Sequence, residues 1–165
     1  ILYASKRRTE RLTEQARVQQ QISNLQNELQ LRRDALKRVL NQQLELNKKM
    51  QEALLTKKKE EKIPDWAQQF IDSNIFSTDE QWEEFFNEFN GCYGNLLKRL
   101  QEDYPRLTST DTQVLALYVL GLDNSDICLL MGLTQRTIWS RRMRIKGRVG
   151  LGEKESLDKW LEECV

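Results

Sequence analysis

The sequence predicts an all-α protein, with a long N-terminal coiled-coil helix followed by a small helical bundle, and three observations carry that prediction. No proline precedes Pro64 and no glycine precedes Gly91, so nothing interrupts a helix from about Lys6 to about Glu61. Within that stretch apolar residues recur every seven positions. Beyond it, apolar residues at helical spacing are separated by capping residues and by Gly121, Gly132 and Gly150.

The long helix comes first. At 1.5 Å rise per residue it would extend about 80 Å. Taking alternate seam positions from residue 15 gives Gln15, Val18, Ile22, Leu25, Leu29, Arg32, Leu36, Val39, Gln43, Leu46, Met50 and Ala53, of which nine of twelve are apolar. That pattern favours a supercoiled homodimer through Val18, Ile22, Leu25, Leu29, Leu36, Val39, Leu46 and Met50, with Gln15, Arg32 and Gln43 setting register. The competing reading is a single solvated helix docked on its own C-terminal domain. Leu40, Leu44 and Leu54 lie off the strict seam, so the stripe broadens, and either a third helix or the globular domain folding back would cover it.

Ahead of the seam, Ile1, Leu2 and Tyr3 followed by Lys6, Arg7 and Arg8 suit the cytoplasmic exit of a membrane helix as well as they suit an ordinary helix start. A chain that opens on isoleucine reads as part of a longer or processed polypeptide, which leaves room for an upstream sensor. No segment of the sequence is long and apolar enough to span a bilayer.

The all-charged run Lys57 to Lys62 ends the rod and Pro64 stops or kinks it, which sets the first domain at 1–62. Residues 63–106 form aromatic-rich linker helices: a short one with Trp66, Phe70 and Ile71, then one capped by Ser77, Thr78 or Asp79 and carrying Trp82, Phe85, Phe86, Phe89, Tyr93, Leu96, Leu97 and Leu100. So much aromatic surface builds core, and no convergent polar group marks a ligand pocket there.

Residues 107–165 form the last domain. Tyr104 and Pro105 close the preceding helix, and Thr108 with Asp111 makes a shortened capping box for a helix bearing Val114, Leu115, Leu117 and Tyr118. Gly121 supplies the left-handed end. Asn124 or Ser125 caps a brief helix through Ile127, Leu130 and Met131, closed by Gly132. Thr134 caps a third helix through Ile138 and Ile145 to about Lys146, loosened by Gly147 and Gly150. An amphipathic helix with Leu157, Trp160 and Leu161 ends the chain.

Composition narrows the function. The 165 residues are 39% hydrophobic and 31% charged with a net charge of +1, which suits a soluble helical protein. Charge is unevenly placed. Between Ile127 and Gly152 there is no acid, yet Arg136, Arg141, Arg142, Arg144, Lys146 and Arg148 all fall there, the outline of a phosphate-facing surface. Three scattered cysteines and no histidine indicate neither a zinc knuckle nor a disulfide framework and fit a reducing, cytoplasmic setting. Packing accounts for Cys128, and Cys92 and Cys164 lack a basic neighbour at catalytic spacing. Asp103, Asp111, Asp123 and Asp126 read as cap and turn residues rather than metal ligands. No general acid, base, nucleophile or phosphate-cradling loop can be nominated, so no enzyme and no cofactor is expected.

Three short helices separated by Gly121 and by Gly132 to Thr134, the third of them basic, follow the plan of a helix-turn-helix reader. Leu107, Thr108, Asp111, Val114, Leu115, Leu117, Gly121, Leu122, Asn124, Asp126, Ile127, Leu133, Thr134, Thr137, Ile138, Ile145, Arg148, Val149 and Gly150 together resemble the LuxR-type helix-turn-helix domain, over about a quarter of the chain. With the aromatic helix, Tyr104 and Pro105, the arrangement also resembles the cytoplasmic part of Bacteroidetes membrane-tethered regulators. The resemblance implies a cytoplasmic transcriptional regulator, standing alone or as the cytoplasmic part of an inner-membrane protein, that binds double-stranded DNA with its third helix in the major groove.

Carried over to this sequence, the reading surface is Thr134, Gln135, Arg136, Thr137, Trp139, Ser140, Met143, Arg144, Lys146 and Arg148, with Ile138, Ile145 and Val149 inward. Arg141, Arg142, Lys146 and Arg148 would track the DNA backbone, and about five phosphates would be neutralised. The pattern also departs from the family. Trp139 stands where lysine or another polar residue is common, Arg141 and Arg142 replace a histidine and a frequent apolar residue, and Gly147 would shorten the helix. An indole at that position either contacts a thymine methyl or sugar, or packs against another part of the protein when DNA is absent. The alternative function is a scaffold whose degenerate helix-turn-helix contacts protein through Trp139 and Met143.

Overall fold

The computed structural model describes residues 2–56 and 78–165, with seven helices and no strand among them. The charged run Lys57 to Lys62, Pro64, the short helix with Trp66, Phe70 and Ile71, the Ser77 cap and the side chains of Ala53 and Leu54 lie outside what is described. No described helix is long and apolar enough to cross a membrane.

Helix α1 spans Leu2–Thr56. The chain divides into two compact units, Ile1–Leu36 and Lys37–Val165, so the boundary falls inside α1 and the helical domain takes in a part of the segment 1–62 that the sequence assigned to the rod. In the first unit Val18, Ile22, Leu25 and Leu29 are exposed, and polar neighbours one turn apart pair along the surface, as Gln20 with Asn24 and Gln30 with Asp34, each at 3.0 Å.

In the second unit α1 is a packed helix. Leu40 and Leu44 are buried, and so are the polar Gln43 and Asn47. Burial of these amides is matched by hydrogen bonds: Gln43 Nε2 donates to Asn47 Oδ1 at 3.1 Å, and Asn47 Nδ2 donates to the Leu129 carbonyl at 2.9 Å. The globular domain therefore folds back onto the broadened part of the stripe. This changes the seam expected for dimerisation. Leu36 is buried and Met50 half-buried, while Val39 and Leu46 remain exposed, because the face that packs runs through Leu40 and Leu44 instead.

Helix α2 spans Asp79–Cys92 and is capped by Thr78, whose hydroxyl accepts from Gln81 N. Phe85 and Phe89 are buried, and Phe89 stacks on Tyr93 with ring centroids 4.5 Å apart. The sequence treated Trp82 to Leu100 as one helix. The chain instead breaks after Cys92, where Gly94 at φ +59 and Asn95 at φ +58 turn left-handed, and α3 begins at Leu96–Asp103. Asn90 makes the break affordable in hydrogen bonds: its Oδ1 accepts from Leu97 N at 3.0 Å and Lys98 N at 3.4 Å, amides that the first turn of α3 leaves without partners. The apolar stripe continues across the break, which is why periodicity alone hid it.

The remaining helices are α4 (Ser109–Val119), α5 (Asn124–Met131), α6 (Gln135–Arg148) and α7 (Leu157–Cys164). Their core holds Val114, Leu115, Leu117, Ile127, Leu130, Ile138, Ile145, Leu157 and Leu161, all buried. Helix α7 packs on α4 and reaches back to the α3 end through Trp160, whose ring meets Tyr104 edge-on at 5.7 Å.

Candidate nucleic-acid interface

Local chemistry fixes each turn of the last domain. The Thr108 hydroxyl accepts from Asp111 N at 3.3 Å while Thr108 N donates to Asp111 Oδ2 at 2.9 Å, the reciprocal box read from the sequence. Gly121 at φ +87 ends α4, and Leu122 N reaches back to the Leu117 carbonyl at 3.1 Å. The cap of α5 is Asp123, whose carboxylate accepts from Asp126 N at 2.8 Å, and not Asn124 or Ser125. Asn124 is occupied otherwise: its side-chain oxygen accepts from the Tyr118 hydroxyl at 2.6 Å. Burial pushes the Tyr118 phenol up, outweighing the Arg142 guanidinium beside it, so it stays a donor.

Helices α5 and α6 are joined through Gly132, Leu133 and Thr134. Gly132 at φ +64 is the left-handed end of α5, and the Thr134 hydroxyl accepts from Thr137 N at 3.2 Å to start α6. Gly147 does not shorten α6, which continues to Arg148. Val149 N bonds to the Ile145 carbonyl, Leu151 N bonds to the Lys146 carbonyl at 2.9 Å, and Gly150 at φ +79 makes that closure possible. The inward positions Ile138, Ile145 and Val149 are buried as the sequence implied.

The basic residues behave differently from their expected roles. Asp111 is 0% exposed, and beyond its capping duty it accepts from Arg141 Nη1 on Oδ1 at 3.2 Å and from Arg148 Nη1 on Oδ2. Burial by itself raises the Asp111 carboxyl, but the Thr108 backbone N–H, Arg148 and the Thr108 hydroxyl together hold it below the ordinary carboxylate value. Arg142 makes two parallel bonds to Asp158, at 3.2 and 2.9 Å, and its guanidinium lies 4.8 Å from the Tyr118 ring centre. Lys146 donates to the Glu153 carbonyl at 2.9 Å.

Arg148 and Lys146, expected at the DNA, and Arg141 and Arg142, expected along its backbone, are thus held by acceptors of the domain itself. The physical reason is phase. Arg141 and Arg148 lie seven residues apart on the side of α6 that faces α4, where a buried cation demands an acid. That phase was readable in the sequence; the partner they share, Asp111, 30 residues before Arg141 and 37 before Arg148, was not.

What remains on the open side of α6 is compact. Gln135 is exposed and tied to α5 by its amide, which donates to Ser125 Oγ at 3.0 Å. Arg136 is exposed and makes no hydrogen bond or ion pair among the described residues. Thr137 and Ser140 are half-buried, Arg144 is exposed, and its one hydrogen bond among the described residues is a marginal one from Nε to the Ser140 carbonyl at 3.5 Å. Trp139 is 61% exposed and Met143 is 43% exposed, so the indole does not pack against another part of the described protein.

No metal-binding cluster occurs among the described residues. The cysteines are free, and burial raises the thiols of Cys128 and Cys164, in the latter case against the lowering charge of Arg99. No protein-family model, curated protein or solved structure matches this chain.

Proposed function

We propose that this chain is a DNA-binding transcriptional regulator that inserts the open face of α6 into the major groove, dimerises through the exposed seam of α1 and acts in the cytoplasm, downstream of a membrane-tethered sensor. The observation that carries this reading is the pair Arg136 and Arg144 on a helix face with no acid between Ile127 and Gly152. Two further features support it. The α5–turn–α6 arrangement has the three-residue, glycine-containing connection of a helix-turn-helix, and α4 stands behind it as the supporting helix. Of the residues that carry the LuxR-type resemblance, Thr108 and Thr134 cap helices, Gly121 ends one, and Val114, Leu115, Leu117, Ile127, Ile138, Ile145 and Val149 are buried.

With four of the six cations internally bound, fewer phosphates are neutralised than the five suggested by sequence. Two arginines per domain give a salt slope of about −1.8, so affinity for random duplex should fall about tenfold between about 50 and about 200 mM salt for one domain, and by the square of that for a dimer. The test is anisotropy of a labelled random duplex with the whole chain and with Arg136→Ala/Arg144→Ala. Loss of binding in the variant with an unchanged melting curve supports the reading. Failure of the parent chain to retain any duplex at about 50 mM salt overturns it.

A second reading, a scaffold that contacts protein through this face, is favoured by the exposed Trp139 and Met143. Trp139→Lys separates the two. A reader that uses the indole loses affinity, whereas a face built for protein gains affinity for DNA from the added cation.

A further inference from the structure

The open face of α6 has an unusual composition for a surface meant to meet a polyanion. Its middle is apolar. Trp139 and Met143 are one turn apart, with Arg136 before them and Arg144 after them along the helix axis, and both apolar side chains keep much of their surface exposed. Met143 shares its sector with Arg136, seven residues earlier, and with Gly147, four residues later. A Cβ at Gly147 would meet nothing within 4 Å, so no contact within the domain accounts for glycine there, and its absence leaves the helix backbone open to a close approach from outside.

We infer that Trp139 and Met143 read the 5-methyl groups of thymines on the floor of the major groove, with Arg136 and Arg144 flanking them on guanine or phosphate. The inference rests on the DNA reading above and names what that face selects. In the major groove the apolar group that a base presents is the thymine methyl, whereas the other base edges present donors and acceptors. Methionine offers no donor and the indole offers one, so hydrogen-bonded base readout is not available to most of this surface. The stretch from Arg136 to Met143 covers about 10 Å of helix, the height of about three stacked base pairs, which fits one or two thymines beside a guanine. Duplex DNA is favoured over a protein partner because the apolar pair is framed by cations and no acid occurs from Cys128 to Leu151.

The experiment selects duplexes from a randomised pool with the whole chain, then replaces each thymine of a selected duplex in turn by uracil, which removes the methyl and leaves the pairing edge intact. Each methyl that lies beneath the pair should contribute about fourfold in affinity. The uracil penalty should vanish in Trp139→Ala or Met143→Ala, whose exposed positions leave the fold and its melting temperature unchanged. Binding that ignores every thymine-to-uracil change, or a penalty that persists undiminished in both variants, overturns the inference while leaving DNA binding intact. Failure to retain any duplex overturns both, and capture of a protein instead would assign the face to the scaffold reading.

Discussion

Replacing Asp111 by alanine tests the central electrostatic feature of the domain. The carboxylate accepts from Thr108 N and from two guanidiniums, and it is fully buried. Losing the acceptor of Thr108 N costs about 1 kcal/mol, and stripping the partner from a buried ion pair costs about 3–5 kcal/mol because the remaining charge is left behind. Arg141 and Arg148 keep 16% and 24% of their side-chain surface in contact with solvent and can partly turn outward, so the lower end applies. The expected total is about 3–4 kcal/mol. Urea unfolding of the whole chain, followed by tryptophan fluorescence, reads the change in midpoint at constant slope.

The sign with pH follows from the lowered Asp111 carboxyl. A folded value below the unfolded one gives stability that is present above the ordinary carboxylate range, near about 4, and lost as pH falls through the folded value. The gap between parent and variant should therefore be full at neutral pH and shrink as the solution is acidified below about 4. Removing both arginines as well, in Asp111→Ala/Arg141→Met/Arg148→Met, should recover much of the loss, since apolar replacements leave no orphan charge. A cost under about 1 kcal/mol for Asp111→Ala, or a triple variant as unstable as the separate losses combined, would refute the buried ion-pair account.

Two other perturbations separate packing from assembly. Leu40→Ala should cost about 2–5 kcal/mol in the same unfolding assay, whereas Leu25→Ala should leave the melting of the helical domain unchanged and weaken self-association measured by light scattering. Asn90→Ala should cost about 1–2 kcal/mol, because the amides of Leu97 and Lys98 lose their acceptor, and hydrogen exchange at those two amides should quicken.

Much of the fold was legible because it is local. Thr108, Thr134, Gly121 and Gly132 act within four residues of themselves, and each does what its chemistry suggests. The break at Gly94 and Asn95 was missed because Leu96, Leu97 and Leu100 continue the apolar spacing across it, and the clue, an asparagine one turn before a glycine–asparagine pair, is weak by itself. Asp123 displaced Asn124 as the cap of α5 because the hydroxyl of Tyr118 engages Asn124.

The face of α6 was legible in its outline: Ile138 and Ile145 inward, Trp139 and Met143 outward. The fate of its cations was not, since pairing depends on Asp111 and Asp158, which only the tertiary fold brings near. Along α1, residues eleven apart such as Val18, Leu29 and Leu40 share a helical sector, so a seven-residue repeat alone could not tell which apolar positions the domain would cover.

The internal tethering of the α6 cations also bears on how the segment behaves outside its domain. Excised as a peptide, residues 135–148 would carry six loose cations and cling to any polyanion, polyphosphate and heparin included. In the intact protein Asp111 and Asp158 offset two of those charges, and together with the Glu153 carbonyl they hold four of the six side chains in place. On the DNA reading proposed above, discrimination would begin by subtraction: the scaffold restrains most of the cations first, and only the few groups left over would choose a sequence.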